Sequence, residues 1–171
     1  MYKISEGQLL HFIKENQQKL YRFTAMYVRN EEDAKDILQN TILKAYRKYH
    51  QIRSADTLSS WFYHVLINEC LLHIRKSKRR EDTQEMDVFS IKTKDTLQQE
   101  QLWDMIHRLD EKSQMIIVLR FFEERKLKEI AAIMDMPLST VKSRLYKSLE
   151  ELRVFMEYED TCINKTTSSN W

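Results

Sequence analysis

The chain has 171 residues, of which 42% are hydrophobic and 32% charged, and its net charge is +2. This length suits one domain or two small ones, and the hydrophobic fraction suffices for packed cores. One glycine and one proline leave too few turn residues for β-hairpins, so we exclude an all-β fold and predict an all-α protein. We expect it to be cytoplasmic, because no apolar run approaches a membrane span and no signal-peptide core follows the N-terminus.

Charge is unevenly distributed along the sequence. Residues 1–80 carry a net charge of +7, residues 81–111 carry −6, and residues 112–156 carry +3. Two cationic bodies joined by an anionic connector can share one nucleic acid while the connector avoids it. The charge distribution therefore favours nucleic-acid binding by two separate parts of the chain.

Apolar residues at helical spacing predict the first two helices. Residues 8–29 form one or two helices, ended by Asn30 in a left-handed conformation. The acidic residues 31–33 then begin a helix over residues 32–49. We expect its inner side to hold Ala34, Ile37, Leu38, Thr41, Ile42, Ala45, Tyr46 and Tyr49. The other side holds Asp36, Gln39, Asn40, Leu43 and Arg47, and this face either docks a partner or is simply solvated.

Residues 51–60, which include Arg53, are predicted to form a loop, and residues 61–80 a helix with a basic end. Five cations fall within six residues at that end, more than a helix dipole requires, which favours a phosphate-binding surface. These cations are Arg75, Lys76, Lys78, Arg79 and Arg80. The inner side of the helix is predicted to hold Val65, Leu66, Cys70, Leu71 and Ile74.

Other residues of this helix have less specific patterns. Trp61, Phe62 and Tyr63 cannot all face outward, and we predict that Trp61 is the core member. Unpaired bases stack on rings beside basic grooves, and the Asn68 amide is able to hydrogen-bond an extruded base. Cys70 and His73 lie three apart, but two ligands without two more favour an ordinary buried thiol over a metal site.

Periodicity is lost over residues 81–97, which we interpret as a flexible acidic linker between two small helical domains. The first domain covers residues 1–80 and the second residues 98–158. In the second, residues 98–109 resume a helical pattern, and Asp110 is a plausible N-cap for a buried helix across residues 114–122. Residues 159–171 have no pattern and are predicted to be a disordered tail.

Residues 126–152 predict a helix-turn-helix. Leu127, Ile130, Ala131 and Met134 define its first helix; Asp135 and Pro137 lie in the break. Asp takes the left-handed conformation better than most residues, though less well than the glycine common in such turns. The second helix is predicted to begin at Ser139 or Thr140, with a buried stripe of Val141, Leu145, Leu149 and Leu152.

A helical wheel centred on that stripe turns a polar face outward. Ser139, Thr140, Ser143, Tyr146 and Lys147 point away from the core, with Lys142 and Arg144 on the two flanks. Small hydroxyls allow close approach to base edges, and flanking cations reach the phosphates of a major groove. The pattern favours a DNA recognition helix over a solvated helical hairpin.

Three segments resemble the extracytoplasmic-function subfamily of bacterial RNA polymerase sigma factors. They are NEEDAKDILQNTILKAYRKY (30–49), SSWFYHVLINECLLHIRKSKRR (59–80) and EIAAIMDMPLSTVKSRLYKSLEEL (129–152). Their order and the acidic stretch between the last two make the resemblance specific over residues 20–156. The departures from the family pattern are Asn40 for Glu, Leu66 for Ala, His73 near the usual Asp, and Asp135 and Ser139 for Gly.

The resemblance implies two DNA-binding surfaces and several partners. Residues 98–158 are implied to be a four-helix domain that reads the minus-thirty-five element as duplex through Ser139, Thr140, Lys142, Ser143, Arg144, Tyr146 and Lys147. Residues 1–80 are implied to melt and hold the minus-ten element through Arg53, Trp61, His64, Asn68, Arg75, Lys76, Lys78, Arg79 and Arg80. Asp36, Gln39, Asn40 and Leu43 are implied to contact the β′ clamp helices of core RNA polymerase. Further implied partners are the polymerase β flap and a membrane-anchored anti-sigma factor, without membrane insertion of this chain.

Two other functional classes compete with this interpretation. A stand-alone helix-turn-helix regulator would bind specific duplex DNA unaided, and an all-helical adaptor would bind protein without the salt dependence of phosphate contacts. We find no nucleophile–base set, phosphate loop or metal quartet, so we expect neither an enzyme nor a bound cofactor.

Overall fold

The computed structural model of the chain describes residues 3–80 and 97–167, and side chains within residues 3–79 and 101–157. The regular structure of these two stretches is helical: α1 (Glu6–Val28), α2 (Glu31–Lys48), a 3₁₀ turn (Tyr49–Gln51), α3 (Ala55–Arg80), α4 (Leu97–His107), α5 (Glu111–Ile117), α6 (Leu127–Met134) and α7 (Leu138–Thr167). The predicted linker over residues 81–97 lies outside the described residues apart from its last one. The all-α prediction is confirmed.

Helices α1, α2 and α3 form the first compact unit. Its core contains Leu9, Leu20, Phe23, Phe62 and Leu66, all fully buried. The ring of Phe62 lies 5.3 Å from that of Phe12, between ring centroids. Phe23 meets Tyr63 edge-on at 5.6 Å, the geometry that aromatic pairs prefer. Two of the three consecutive aromatic residues near the start of the basic helix, Phe62 and Tyr63, are therefore part of the core.

The junction of α1 and α2 differs from its prediction by one residue. Arg29, not Asn30, adopts the left-handed conformation with φ 56°, and its N–H donates to the Ala25 carbonyl. Asn30 is extended instead, and its side chain accepts a hydrogen bond from the Asp33 N–H at 2.9 Å. Asn is among the best N-cap residues, and here that role prevails over its tolerance of left-handed backbone.

Three further predictions in the first unit are wrong. Residues 55–60 belong to α3 and not to a loop, because the Ser54 carbonyl accepts from both the N–H and the hydroxyl of Thr57 and so starts the helix early. Trp61 is half-buried, whereas Phe62 and Tyr63 fill the core. Tyr46 is also exposed, and its hydroxyl donates to the Glu6 carboxylate, which raises the pKa of the tyrosine.

The second unit contains α4, α5, α7 and α6 as far as Ala131, and these are the four helices predicted for the C-terminal domain. Ile106, Met115, Ile116, Leu119 and Val141 are buried in it. As predicted, Asp110 caps α5, accepting from the Ser113 N–H at 3.3 Å.

Helix α5 continues into a π-helical turn over Val118–Phe122. The Glu123 N–H donates to the Val118 carbonyl at 3.1 Å, five residues back, and this wider spacing rotates the last residues out of line with the buried stripe. Phe121 is 53% exposed and Phe122 38% exposed. The prediction of a buried helix to residue 122 is therefore wrong for its final turn.

Helix α7 is longer at both ends than predicted. It begins at Leu138, and the Val141 N–H donates to the Pro137 carbonyl at 3.1 Å, so neither Ser139 nor Thr140 is the N-cap. Proline is well suited to precede a helix because its φ is fixed near the helical value. The helix runs to Thr167, which contradicts the predicted disorder for residues 159–167; residues 168–171 lie outside the described residues.

Within residues 3–80 and 97–167, no helix is both long and apolar enough to cross a lipid bilayer.

Candidate nucleic-acid interface

The turn between α6 and α7 has the geometry of a helix-turn-helix. Asp135 adopts the left-handed conformation with φ 50°, as predicted. The Met136 N–H donates to the Ala131 carbonyl at 3.0 Å, and the Asp135 N–H donates to the Ala132 carbonyl at 3.4 Å. These two bonds form a Schellman motif, which satisfies the last carbonyls of α6. Asp135 thus takes the position usually given to glycine and sets the direction in which α7 leaves.

The outward face of α7 carries the predicted recognition residues. Ser139, Lys142, Ser143, Tyr146 and Lys147 are exposed, and Thr140 is half-buried. Tyr146 is 67% exposed, an uncommon state for a large ring without a partner. Lys147 lies 3.8 Å from Glu151 one turn later, an exposed pair that solvent weakens. The face therefore offers hydroxyls, one ring and cations to a ligand.

Arg144 differs from the other recognition residues because it pairs within the second unit. Its guanidinium donates to the Asp110 carboxylate at 3.0 Å and to the Ser113 hydroxyl at 3.5 Å. Burial alone would raise the pKa of Asp110, but hydrogen bonds from Ser113 and the charge of Arg144 outweigh it, and the pKa is lowered. Arg144 thus links α7 to the N-terminus of α5, and its guanidinium orients one flank of the recognition face.

Part of the predicted buried stripe of α7 is wrong. Val141, Leu145 and Leu152 are buried, but Leu149 is 38% exposed. Ser148 is buried in its place, and its hydroxyl donates to the Arg144 carbonyl at 2.7 Å. A buried hydroxyl costs little free energy once it is hydrogen-bonded to the preceding turn, so a serine can occupy the inner side of this helix.

In the first unit, the cationic end of α3 is open to solvent. Arg75, Lys76, Lys78 and Arg79 are exposed; the side chain of Arg80 lies outside the described residues. No described carboxylate pairs with Arg75, Lys76 or Arg79. Unpaired guanidinium and ammonium groups on consecutive turns are the usual composition of a phosphate-binding surface.

Asn68 lies on the same helix, about two turns before the cations, and is exposed. Its amide nitrogen donates to His64 Nε2 at 3.1 Å. His64 is half-buried, and its Nε2 accepts one N–H of the Asn68 amide. Arg53 is exposed in the short loop before α3, and Trp61 lies half-buried in the first turns of that helix.

The face of α2 predicted to contact polymerase is exposed. Asp36, Gln39, Asn40 and Leu43 all point to solvent, and Leu43 is 56% exposed. One flank of that face is tied to α3 by an ion pair between Lys44 and Glu69 and by His73 Nε2, which lies 3.1 Å from the Asp33 carboxylate. Cys70 is fully buried in the same region, and burial raises the pKa of its thiol.

Sequence reasoning missed two surface features. One is an open cavity lined by Lys3, His50, Gln51 and Arg53. A sequence pattern could not predict it, because Lys3 is distant in sequence from the other three residues. The other is the exposed pair Phe121 and Phe122, with the Phe122 ring 4.7 Å from Trp103. The sequence signal for that pair was its position directly before the polar residues 123–126.

A helix-turn-helix with an exposed polar face, and a second helical unit with a cationic helix end, define a DNA-binding protein of the transcription machinery. Family comparisons agree with this class: sigma-70 region 2 matches residues 12–80, and sigma-70 region 4 matches residues 99–152. The chain is 36% identical to the RNA polymerase sigma factor SigV of Bacillus subtilis over 158 residues, which cover 91% of this chain and 95% of that protein. It is 30% identical to the ECF RNA polymerase sigma-E factor of Haemophilus influenzae, covering 78% of this chain and 79% of the relative.

The chain belongs to the extracytoplasmic-function (ECF) subfamily of RNA polymerase sigma factors. Two solved structures share its fold. The sigma factor RpoE of Bartonella quintana, solved with the anti-sigma factor NepR, has a TM-score of 0.70 at 21% identity and covers 86% of this chain and 97% of that one. CnrH, solved with the cytosolic domain of CnrY, has a TM-score of 0.66 at 17% identity and 88% coverage of both chains. Sigma factors are non-enzymatic initiation factors, in agreement with the expectation that this chain is not an enzyme.

Proposed function

We propose that this chain binds core RNA polymerase and directs promoter-specific initiation, reading the minus-thirty-five element as duplex and melting the minus-ten element. The observation that carries the proposal is the pair of open surfaces on one chain: the outward face of α7, and the end of α3 from Asn68 to Arg79. A regulator that binds only duplex DNA would not require the second surface, at the end of α3.

For the duplex element, the readers are the exposed residues of α7. Ser139 and Ser143 are small enough for the helix to approach base edges, and their hydroxyls donate or accept. Lys142 and Lys147 reach phosphates or guanine acceptors, and Tyr146 supplies apolar contact. Arg144, predicted on one flank of this face, is oriented by its hydrogen bond to Asp110.

For the melted element, Asn68 is the base-capturing residue and the cations hold the backbone. The Asn68 carbonyl oxygen accepts from the amino group of an extruded base, while Arg75, Lys76 and Arg79 bind the flanking phosphates. Stacking contributes about 1–3 kcal/mol per base, comparable to the few kcal/mol that unstacking costs. The protein therefore lowers the cost of strand separation without covalent chemistry.

Polymerase contacts are assigned to exposed side chains on both units. Asp36, Gln39, Asn40 and Leu43 fit the β′ clamp helices, since they combine polar groups with one unpartnered leucine. The exposed rings of Phe121 and Phe122 offer an apolar surface to the β flap. We place the chain in the cytoplasm, where polymerase acts. RpoE was solved with an anti-sigma factor, and this supports an anti-sigma partner here, one that we propose is membrane-anchored.

The test is run-off transcription from a random promoter pool by core RNA polymerase with and without the full chain. We expect new start sites that share two sequence elements only when the chain is present. A stand-alone regulator would instead bind specific duplex sites without polymerase, and it would add no start sites to core enzyme. That result would replace the proposal.

A further inference from the structure

A cluster of three side chains joins α7 to the start of α5 in the second unit. Arg144 Nη1 donates to the Asp110 carboxylate at 3.0 Å and to the Ser113 hydroxyl at 3.5 Å. The Ser113 hydroxyl donates in turn to the same carboxylate, which also accepts from the Ser113 N–H. Because Asp110 is the N-cap of α5, the first turn of that helix fixes the position of the carboxylate that Arg144 contacts.

This arrangement sets Arg144 apart from the two lysines of the recognition face. Lys147 pairs within α7, with Glu151 at 3.8 Å, and Lys142 forms no ion pair with any carboxylate that the structure describes. The Arg144 side chain is 35% exposed, whereas that of Lys147 is 80% exposed. A partly covered guanidinium held by two bonds loses less conformational entropy on binding than a free lysine does. Arg144 is therefore the most constrained of these three cations.

The two bonds leave part of the guanidinium available. Nη1 has two hydrogens, for which Asp110 and Ser113 are the acceptors; Nη2 and Nε carry three more, and no acceptor for them lies among the described residues. A guanidinium is a planar fork, so fixing Nη1 restricts the directions in which the remaining donors point. A freely rotating arginine could follow a phosphate to many positions, whereas this one favours an acceptor in a particular place.

The Asp110 carboxylate also acts through its charge. Attraction between cations and DNA phosphates is independent of base sequence and supplies the affinity for unmatched DNA. A carboxylate 3.0 Å from Arg144 offsets one of those cations, so it weakens attraction to every duplex. Specificity is a difference between two affinities, and a repulsive group that weakens binding to the wrong partner increases it.

We propose that Asp110 and Ser113 are positioning residues that increase discrimination between a matched minus-thirty-five element and unmatched duplex. Asp110 offsets the charge of Arg144, and together with Ser113 it holds the guanidinium in one orientation. The inference rests on the proposed function. It adds to that function a role for the start of α5, which lies outside the helix-turn-helix.

The test uses holoenzyme assembled from core RNA polymerase and the full chain. Two duplex promoters share one minus-ten element; one has a minus-thirty-five element selected from the random pool, and the other has the same bases in scrambled order. Competition between them gives a ratio of initiation. Asp110→Asn keeps the N-cap acceptor, and it should lower this ratio about threefold to fivefold, the effect of a partly exposed ion pair. Affinity for the scrambled duplex should rise, whereas loss of a merely structural residue would not raise it.

Two further variants separate orientation from charge. Ser113→Ala keeps every charge and removes one acceptor of Arg144, so it should lower the ratio without raising affinity for the scrambled duplex. In an Arg144→Ala background, Asp110→Asn should change the ratio no further, because its effect requires the guanidinium. The matched control Asp104→Asn removes a carboxylate from an exposed position of α4 and should retain the wild-type ratio.

The outcomes separate this inference from the proposed function. An unchanged ratio for Asp110→Asn would overturn the inference, as would an equal decrease for Asp104→Asn or weaker binding of Asp110→Asn to both duplexes. Failure of the wild-type holoenzyme to initiate at the matched promoter would contradict the proposed function itself. Circular dichroism shows whether each variant is folded, and Asp110→Ser, another good N-cap without charge, replaces Asp110→Asn if that variant unfolds.

Discussion

Asn68 is held by its neighbour one turn earlier. Its amide nitrogen donates to His64 Nε2 at 3.1 Å, and this bond restricts rotation of the amide. A fixed acceptor loses less conformational entropy on binding than a freely rotating amide. His64 was predicted to contact DNA, and under the proposed function we expect it also to position the Asn68 amide.

Asn68→Ala should impair initiation on duplex promoters about tenfold or more, and much less on pre-melted templates, because only the former require base capture. His64→Ala should give a smaller defect of the same kind, and His64→Gln should recover part of it, since a Gln carbonyl can accept the same bond. His11→Ala on α1 is the matched histidine control. Abortive initiation on the two templates measures the ratio; equal defects on both would remove Asn68 from base capture.

Lys147 tests the assignment of the α7 face. Lys147→Ala should lower initiation from promoters with an intact minus-thirty-five element by about fivefold, equivalent to about 1 kcal/mol, and leave affinity for core polymerase unchanged. Lys112→Ala, an exposed lysine of α5, is the control for loss of one charge. Promoter competition and fluorescence titration with core enzyme give the two numbers. A parallel loss of both would contradict the face assignment.

Asp110 makes the second unit sensitive to acid. Its pKa is lowered in the folded protein, so its stabilising effect is complete above the usual value of 3.8 and is lost as the pH falls through the folded-state value. Asp110→Asn keeps an N-cap acceptor but removes the charge. We expect it to cost less than about 1 kcal/mol at pH 7, since the pair with Arg144 is partly solvated.

The free energy of unfolding, measured by urea titration between pH 5 and pH 3, should fall less steeply for Asp110→Asn than for the wild type. Asp36→Asn, an exposed carboxyl on α2, serves as control and should follow the wild-type slope. Identical slopes for all three proteins would show that the Asp110 charge does not stabilise the fold.

At the scale of elements, the turn between α6 and α7 stores conformational strain. Asp135 is held at φ 50°, where a side chain other than that of glycine is disfavoured. Asp135→Gly should stabilise the protein by up to about 1 kcal/mol, because glycine relieves the strain although it adds freedom to the unfolded chain. Thermal unfolding followed by circular dichroism measures the change.

The control for this prediction is Ala132→Gly, within α6. There glycine should destabilise by about 1 kcal/mol, since the residue is helical and gains only flexibility in the unfolded state. If both substitutions destabilised the protein equally, Asp135 would not be strained.

Elements were easier to predict from sequence than their ends and faces. The first helix of the helix-turn-helix was placed correctly at Leu127–Met134, because a proline shortly after it and apolar spacing within it agree. The predictions for Asn30 and Ser139 were wrong. Each residue type suits both a helix cap and a position next to the cap, and only the hydrogen-bond geometry decides between the two. Leu149 was predicted to be buried, but Ser148 is buried instead. The helical wheel ranks residues by polarity, whereas a serine whose hydroxyl bonds to the preceding turn can be buried at little cost.

At the scale of the whole molecule, the two cationic surfaces should set the response to salt. Each phosphate contact contributes about 0.7 to the slope of log affinity against log salt for single strands and about 0.9 for duplex. The variant Arg75→Ala/Lys76→Ala/Arg79→Ala should reduce the slope for single-stranded DNA by about two. Fluorescence anisotropy at several salt concentrations measures it.

A matched triple variant, Lys14→Ala/Arg22→Ala/Lys35→Ala, removes the same charge from exposed positions on α1 and α2. Its slope should stay close to that of the wild type, because these cations lie outside the proposed surface. Equal changes in the two variants would mean that net charge alone, and not the end of α3, determines binding.

Helix α7 carries the recognition residues and then continues without a break to Thr167. Tyr146 and the exposed Val154 are eight residues apart, about 12 Å along one stiff axis. Because the helix is continuous, a contact near Val154 would constrain both the rotation about the helix axis and the position along it of the residues near Tyr146 in a DNA groove. One residue inserted between these two positions would turn one portion against the other by about 100°. Under the proposed function, we therefore expect the phasing of α7 to affect promoter choice as well as the side chains proposed to contact bases.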